Sequence, residues 1–599
     1  MTKATTITKL PQTQTLPAIA YQVAMPCPQS HLFEVTLTVT NWQDSLLNLK
    51  MPVWTPGSYL VREYSRQVQN FEVKNEDDNQ LLESKKIGKN HWQITTDNCT
   101  NITIKYRVFA NELTVRTNHL DATHGYFNGA AMFLFVPGYE QQPLQVSILP
   151  PQDWQVTTTL PPVTGRVHTF EAENFDMLVD SPFEIGKQRI YDFEVLGKPH
   201  QLAIWGQGNA NPQQIIEDTK KIIEVEADLY GGLPYQRYLF LLHLAGNAYG
   251  GLEHKESCSL IYNRFGFRDS EKYNRFIQLV AHEFFHLWNV KRIRPKELEK
   301  FDYEQENYTP SLWFCEGTTS YYDLLIPCWA GIYEPKIFLE ALSKDITRLQ
   351  TTSGRKVQPL SESSFDAWIK LYRRDANSDN NQISYYLKGE IVSLMLDLLI
   401  RAKHHNRRSL NDVMRLMWHR FGIEEVGFTP CQLKEVIESV AEVNLDQFFQ
   451  RYIDETQELP LDEYLEPFGL HLVAVTEDSL PHLGIKLDNR NGRAIIKFVE
   501  ANSPAELAGI DTEDELLAIN NVRVGTDNFN ERLGDYQAGD TINISVFHDE
   551  QLQTCSVTLE EKQPSSYKLE IIDSPSPAQK ELFEGWVKKK SEIRNQKSE

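Results

Sequence analysis

The stretch from Phe276 to Leu287 restricts this chain more than any other. Phe276, Ile277, Val280, Phe284 and Leu287 recur at helical spacing, which predicts a mostly buried helix. Within it, His282 and His286 stand four residues apart, one turn from each other on a single face. Two imidazoles so placed can reach one tetrahedral ion, and the donor type suits zinc. Glu283 would lie beside that ion without ligating it, placed to take a proton from an activated water. The competing reading is two core histidines that meet by accident.

A hydrolytic zinc site usually has three protein ligands and one open position. Trp313-Phe-Cys-Glu316-Gly317 offers the third as a carboxylate, on a helix that Thr309-Pro310 should open. Its surroundings are aromatic and apolar, so a bare carboxylate there would be costly unless paired with positive charge. The acidic residues at 297, 299, 302, 304 and 306 fall in a charged loop that suits solvent. Otherwise Glu316 is a helix-start carboxylate held by the helix dipole. The set His282, His286 and Glu316 implies one zinc per chain.

Two further segments are suggestive. In Gly250-Gly251-Leu252-Glu253-His254, paired glycines permit close backbone approach to a ligand, and Glu253 could receive a cationic amine. Read blandly, it is a glycine turn before a charged loop. Tyr385-Tyr386-Leu387-Lys388-Gly389 should open another helix, where a tyrosine hydroxyl could donate to an oxyanion or be merely an aromatic at a helix start.

Around these residues the chain divides by pattern into a multidomain α+β protein. Residues 1–190 alternate with period two, as in Leu32–Val39 and Asn101–Val108, and predict an antiparallel β-sandwich. Residues 191–465 should form a catalytic domain with a helical lobe. Expected helices run over 212–229, 272–290, 310–325, 385–402 and 409–420, with a buried strand over 238–244. Residues 466–562 return to short strands, and 563–599 read as a charged helical tail with Leu582, Phe583 and Trp586 as an apolar stripe.

At 599 residues the chain has length for two to four domains. Its formal charge of −22, from 60 basic and 82 acidic side chains, repels phosphate backbones and anionic headgroups, so no nucleic-acid or membrane partner is expected. Seven scattered cysteines without a CxxC pair indicate reduced thiols. With no apolar leader in Met1–Leu10 and no membrane-length apolar run, a cytoplasmic location is expected.

Taken in order, these motifs resemble the gluzincin metallopeptidases, and most closely the glycyl aminopeptidase family. The resemblance also covers Pro52-Val-Trp-Thr-Pro-Gly-Ser-Tyr59, Glu112–Thr117 and His282–Asn289. It implies a thermolysin-like catalytic domain behind the β domain, with peptides bearing a free N-terminus as substrates. It further implies that Gly250, Gly251 and Glu253 hold the substrate amine, that Tyr386 is the transition-state tyrosine, and that the first residue is small, glycine or alanine. Residues 501–510 and 514–520 look like parts of a PDZ domain, with Leu483, Gly484 and Ile485 as the loop that would bind a C-terminal peptide carboxylate. That module could instead pack on its own chain. Two other activities stay open: a zinc endopeptidase with a merely structural Glu253, and a PDZ-bearing adaptor with an inactive peptidase domain.

Overall fold

The computed structural model describes residues 18–476 and 480–588. The polar start at Met1–Leu10 and the last residues of the charged tail lie outside them.

Period-two burial builds the first domain. Phe33, Val35, Leu37 and Val39 of Leu32–Thr40 point inward, while the residues between them stay partly wet. This strand pairs antiparallel with Ile102–Phe109 and with Ala18–Ala24. Ala18–Ala24 then runs parallel to Leu144–Leu149, so the expected antiparallel sandwich carries a parallel pairing. A parallel neighbour needs a long crossover, and the chain between 24 and 144 supplies it. A second sheet takes Phe183–Gly186, His124–Phe127 and two shorter strands. The sheets share a core that includes Phe33, Ile104, Phe127 and Phe183.

The catalytic sheet runs in the order Arg189–Val195, Lys198–Trp205, Tyr238–Ala245, Ser257–Asn263, Tyr249–Glu253. The helix Pro212–Tyr230 connects two parallel neighbours; Asn211 caps its start and Gly231, at φ 87, ends it. Tyr249–Glu253 doubles back antiparallel along the sheet edge, so the Gly-Gly-Leu-Glu run is a strand.

Three helices differ from their expected spans. The histidine helix covers Ser270–Phe285, capped by Asp269, and stops short of 290. The chain turns back there, with Val290 at φ 97 and its N–H on the Ile293 carbonyl. A positive φ in a β-branched residue is costly and marks an enforced turn. The expected helix over 310–325 begins as a π-helical turn, Trp313–Gly317, and continues as Thr318–Trp329. That over 409–420 is Leu410–Met417 followed by another π turn, Trp418–Gly422.

The chain beyond residue 465 departs from the expected division. Leu470–Val475 pairs with Ser566–Ile571 and not with the PDZ sheet. The helix Pro577–Val587 docks on the helical lobe, burying Trp586 completely, with its Nε1 donating to the Tyr321 hydroxyl at 2.8 Å. The apolar stripe read as part of a charged tail thus anchors the chain end, and the PDZ module lies between the two ribbon strands. No helix among the described residues is long and apolar enough to cross a membrane.

Candidate metal centre

His282 and His286 leave the end of one helix and Glu316 leaves the π turn of the next. Glu316 Oε2 lies 3.5 Å from His282 Nε2 and 3.1 Å from His286 Nε2, and these three groups together could hold a metal ion. Both rings are aimed from behind. His282 Nδ1 hydrogen-bonds the Asp323 carboxylate at 2.8 Å, and His286 Nδ1 the Asn289 carbonyl at 2.8 Å. Engaging Nδ1 leaves Nε2 of each ring for a shared ligand. The Asn289 side chain donates to the Phe314 and Cys315 carbonyls at 3.0 Å each, tying down the widened turn that carries Glu316. π turns expose carbonyls that an α-helix would consume, which is why they recur at functional sites.

The charges of the cluster are strongly coupled. Burial alone would raise the Glu316 carboxyl, but attraction to His286 and hydrogen bonds from both imidazoles outweigh it and hold it down at about 2. Burial raises Glu283 to about 7, against the pull of His282 and His286 and with added repulsion from Glu253. Asp323 is likewise raised by burial, to about 6. Against burial, the carboxylates draw both imidazoles toward their charged form, so the cluster holds positive charge between its acids, and the N, N, O donor set fits zinc.

Glu253 is 4% exposed at the end of the edge strand. Its Oε1 and the Glu283 Oε2 are buried with no hydrogen-bond partner among the described residues. Behind Glu253 stands the loop of the first domain: Gly57 has φ +85, and a Cβ added there would lie 2.5 Å from Glu253 Oε2. Only glycine meets both demands, the left-handed backbone and the contact. Arg116, also of the first domain, donates to the Gly251 carbonyl at 3.0 Å. The room above Gly251 is taken by the Glu283 carboxylate, which a Cβ would strike; a Cβ on Gly250 would lie 3.6 Å from the Arg116 guanidinium, an ordinary contact. The glycine pair was expected to admit a ligand, whereas Gly251 admits a side chain of the protein itself.

Tyr386 lies in the first turn of the helix Tyr385–His404, half-buried, with its ring 6.3 Å from that of His282. Tyr385 is completely buried. Tyr372, which no motif marks, sets its hydroxyl 3.1 Å from that of Tyr386 and 3.2 Å from that of Tyr385. Asp323 and Asn289 were also missed, although each left a trace. Asp323 follows Glu316 by seven residues, two helical turns, and Asn289 follows His286 by three.

In the C-terminal module, Gly484 adopts φ +84 against Ser503, and Leu483 is buried. Leu483, Gly484 and Ile485 border a groove of about 370 Å³ between Ile485–Arg490, which is the sheet's edge strand, and Phe529–Leu533. The module also rests on the helical lobe: Asn380 bonds both the Val499 carbonyl at 2.9 Å and the Ala501 N–H at 3.0 Å.

Three family models match the chain: the peptidase M61 N-terminal domain over residues 20–187, the M61 glycyl aminopeptidase over 275–392 and the PDZ domain over 481–559. The structure is similar to that of an aminopeptidase N family protein from Idiomarina loihiensis. The two are 31% identical with a TM-score of 0.89, over 95% of this chain and all (100%) of that one. A remoter match is an M1 zinc metallopeptidase from Deinococcus radiodurans, 13% identical with a TM-score of 0.46, over 74% of this chain and 95% of that one. No curated protein matches the sequence. A strand-rich domain, a catalytic domain with a His-Glu cluster and a PDZ domain together define a metallopeptidase. The chain belongs to the M61 glycyl aminopeptidase family.

Proposed function

We propose that this protein is a zinc-dependent aminopeptidase that removes small first residues, glycine or alanine, from peptides with a free N-terminus. The observation that carries the reading is Glu253: a buried carboxylate with an unpartnered oxygen, backed by Gly57, beside the candidate base Glu283. A cationic amine would complete it with a charge-assisted hydrogen bond. The Gly57 loop behind it leaves little room for chain preceding that amine. The family match supports glycine as the first residue, and alanine is the next smallest.

His282, His286 and Glu316 would hold the zinc, which when bound supplies Lewis acidity toward the scissile carbonyl and acidifies the attacking water. Glu283 takes the proton from that water and returns it to the departing amine. Burial raises its carboxyl above the ordinary carboxylate range, which makes it a stronger base toward the water while it stays ionised beside a bound cation. The Tyr386 hydroxyl donates to the oxyanion, and Tyr372 orients it through the bond between their hydroxyls. At the other end of the chain, the groove at Leu483, Gly484 and Ile485 and its free sheet edge suit a C-terminal peptide that adds as a strand. No disulfide joins the described cysteines, and a reducing, cytoplasmic setting accords with that.

Paired peptides with free and N-acetylated ends, assayed with and without chelator, test the reading. Hydrolysis should be confined to free ends and abolished by the chelator. Efficient cleavage of the acetylated form would make the enzyme an endopeptidase, and no turnover of either would favour the adaptor.

A further inference from the structure

Away from the catalytic cluster, His124, Glu184 and His243 meet where the first domain abuts the catalytic sheet. His124 and Glu184 come from neighbouring antiparallel strands, in which Gly186 pairs with His124 and Glu184 with Tyr126. His243 belongs to the central strand Tyr238–Ala245 of the catalytic sheet. The side chains are 0%, 1% and 1% exposed. Glu184 Oε2 lies 2.7 Å from His243 Nε2, its Oε1 lies 3.8 Å from His124 Nε2, and one ligand atom from each residue falls within 4.8 Å of the others.

Hydrogen bonding leaves this cluster unfinished. Both ring nitrogens of His124, Nδ1 of His243 and Oε1 of Glu184 are buried without a hydrogen-bond partner among the described residues. Buried polar groups are nearly always satisfied, and here several unsatisfied atoms come from three ligand-type side chains that converge. The surroundings also fix the rings. The His124 imidazole stacks on Trp205 with centroids 3.7 Å apart, and Gly186 leaves the space that a Cβ would take, 2.9 Å from His124 Cβ.

We propose that His124, Glu184 and His243 form a second divalent-metal site, of the zinc class, that joins the first domain to the catalytic sheet. Two imidazoles and one carboxylate are a zinc donor set that leaves the fourth position to a water, and their complete burial keeps that position from substrate. The ion takes the place of the proton that His243 and Glu184 share, which leaves to solvent as the metal binds. His119 and Asp121 mark the way in. They are 12% and 31% exposed, and the His119 ring lies 5.0 Å from that of His124.

Metal content decides the matter independently of the catalytic site. The full chain, loaded with zinc and dialysed against metal-free buffer, is analysed by mass spectrometry beside Glu184→Gln, with each also carried in a His286→Ala background. In both backgrounds Glu184→Gln should hold one equivalent less zinc per chain. Equal content would overturn the proposal, whatever the catalytic cluster retains. Should Glu184→Gln fail to fold, thermal unfolding of the His282→Ala/His286→Ala chain takes over. Added zinc should raise its Tm, and an unchanged Tm would overturn the proposal.

Discussion

Replacing Gly57 by alanine tests whether the first domain completes the amine pocket. At φ +85 an L-residue adds about 1–2 kcal/mol of backbone strain. The new Cβ would stand 2.5 Å from Glu253 Oε2, where ordinary contact begins at 3.4 Å, so the carboxylate or the loop must retreat by about 1 Å. A misplacement of that size costs ~10²-fold when it falls on a group that positions substrate. The expected result is therefore a kcat/KM for unblocked dipeptides lowered by ~10²-fold, equivalent to about 2.7 kcal/mol of transition-state stabilisation. Zinc content should be unchanged, because Gly57 touches none of the three candidate ligands. Steady-state kinetics with metal analysis and a thermal melt on the same preparation separate the effects. Activity within about threefold of the unaltered chain, with zinc intact, would refute the reasoning, since that is under 1 kcal/mol. Loss of zinc alongside activity would refute it too, by showing that the loop serves the metal centre.

Glu283→Gln should retain the metal and lose at least ~100-fold in kcat, checked by turnover and metal content together. Tyr386→Phe should lower kcat by ~10²–10³ with little change in KM; if Tyr385→Phe does the greater damage, the hydroxyl is assigned one residue out of place. Asp323→Asn removes the carboxylate behind His282 and should weaken zinc binding by ~10–100-fold in a competitive chelator titration. For pH, the base must be ionised, so activity falls as pH drops through the Glu283 pKa. Burial raises that pKa from 4.5 to about 7 and a bound cation draws it back, so the acid limb of kcat/KM should lie between those values. Glu253→Gln removes a neighbouring negative charge and should move that limb to lower pH.

How much of this was legible depends on how local each feature is. The His282–His286 pair could be read because four-residue spacing on a helix is a geometric statement, and the alternating strands because burial follows the pleat. Glu316 could be read for its residue type and apolar setting, but the π turn that presents it could not. That turn depends on Asn289, whose hold on the Phe314 and Cys315 carbonyls is tertiary. Tyr372 had no local signal at all: it matters only because the fold brings a loop over the start of another helix. The same holds for Gly57, which reads as a turn glycine until its neighbour across the domain boundary, Glu253, is known. The docking of Trp586 was hidden by charge, since a charged helix with three apolar residues reads as solvated until the matching surface around Phe338 and Phe468 exists.

Two glycines next to the chemistry set its dimensions. Gly317 follows Glu316, and Gly389 lies one turn beyond Tyr386 on its helix. A Cβ on Gly317 would come within 2.5 Å of Gly389 Cα and 2.8 Å of the Tyr385 carbonyl; one on Gly389 would come within 2.7 Å of the Trp313 carbonyl. The two helices therefore touch backbone to backbone. Packed helices usually lie ~8–10 Å apart, and glycine contacts belong at the near end of that range. Thr318, next to Gly317, and Ser393, one turn beyond Gly389, continue the seam with their hydroxyls 2.8 Å apart. Glu316 and Tyr386 leave their helices beside this contact, so the distance between candidate ligand and candidate oxyanion donor is set by main-chain atoms, which move far less than side chains do. A methyl group at either glycine would push the helices apart on the ångström scale at which positioning fails. The glycine of Tyr386-Leu387-Lys388-Gly389 thus has a mechanical place in the motif, as the point where the two helices meet.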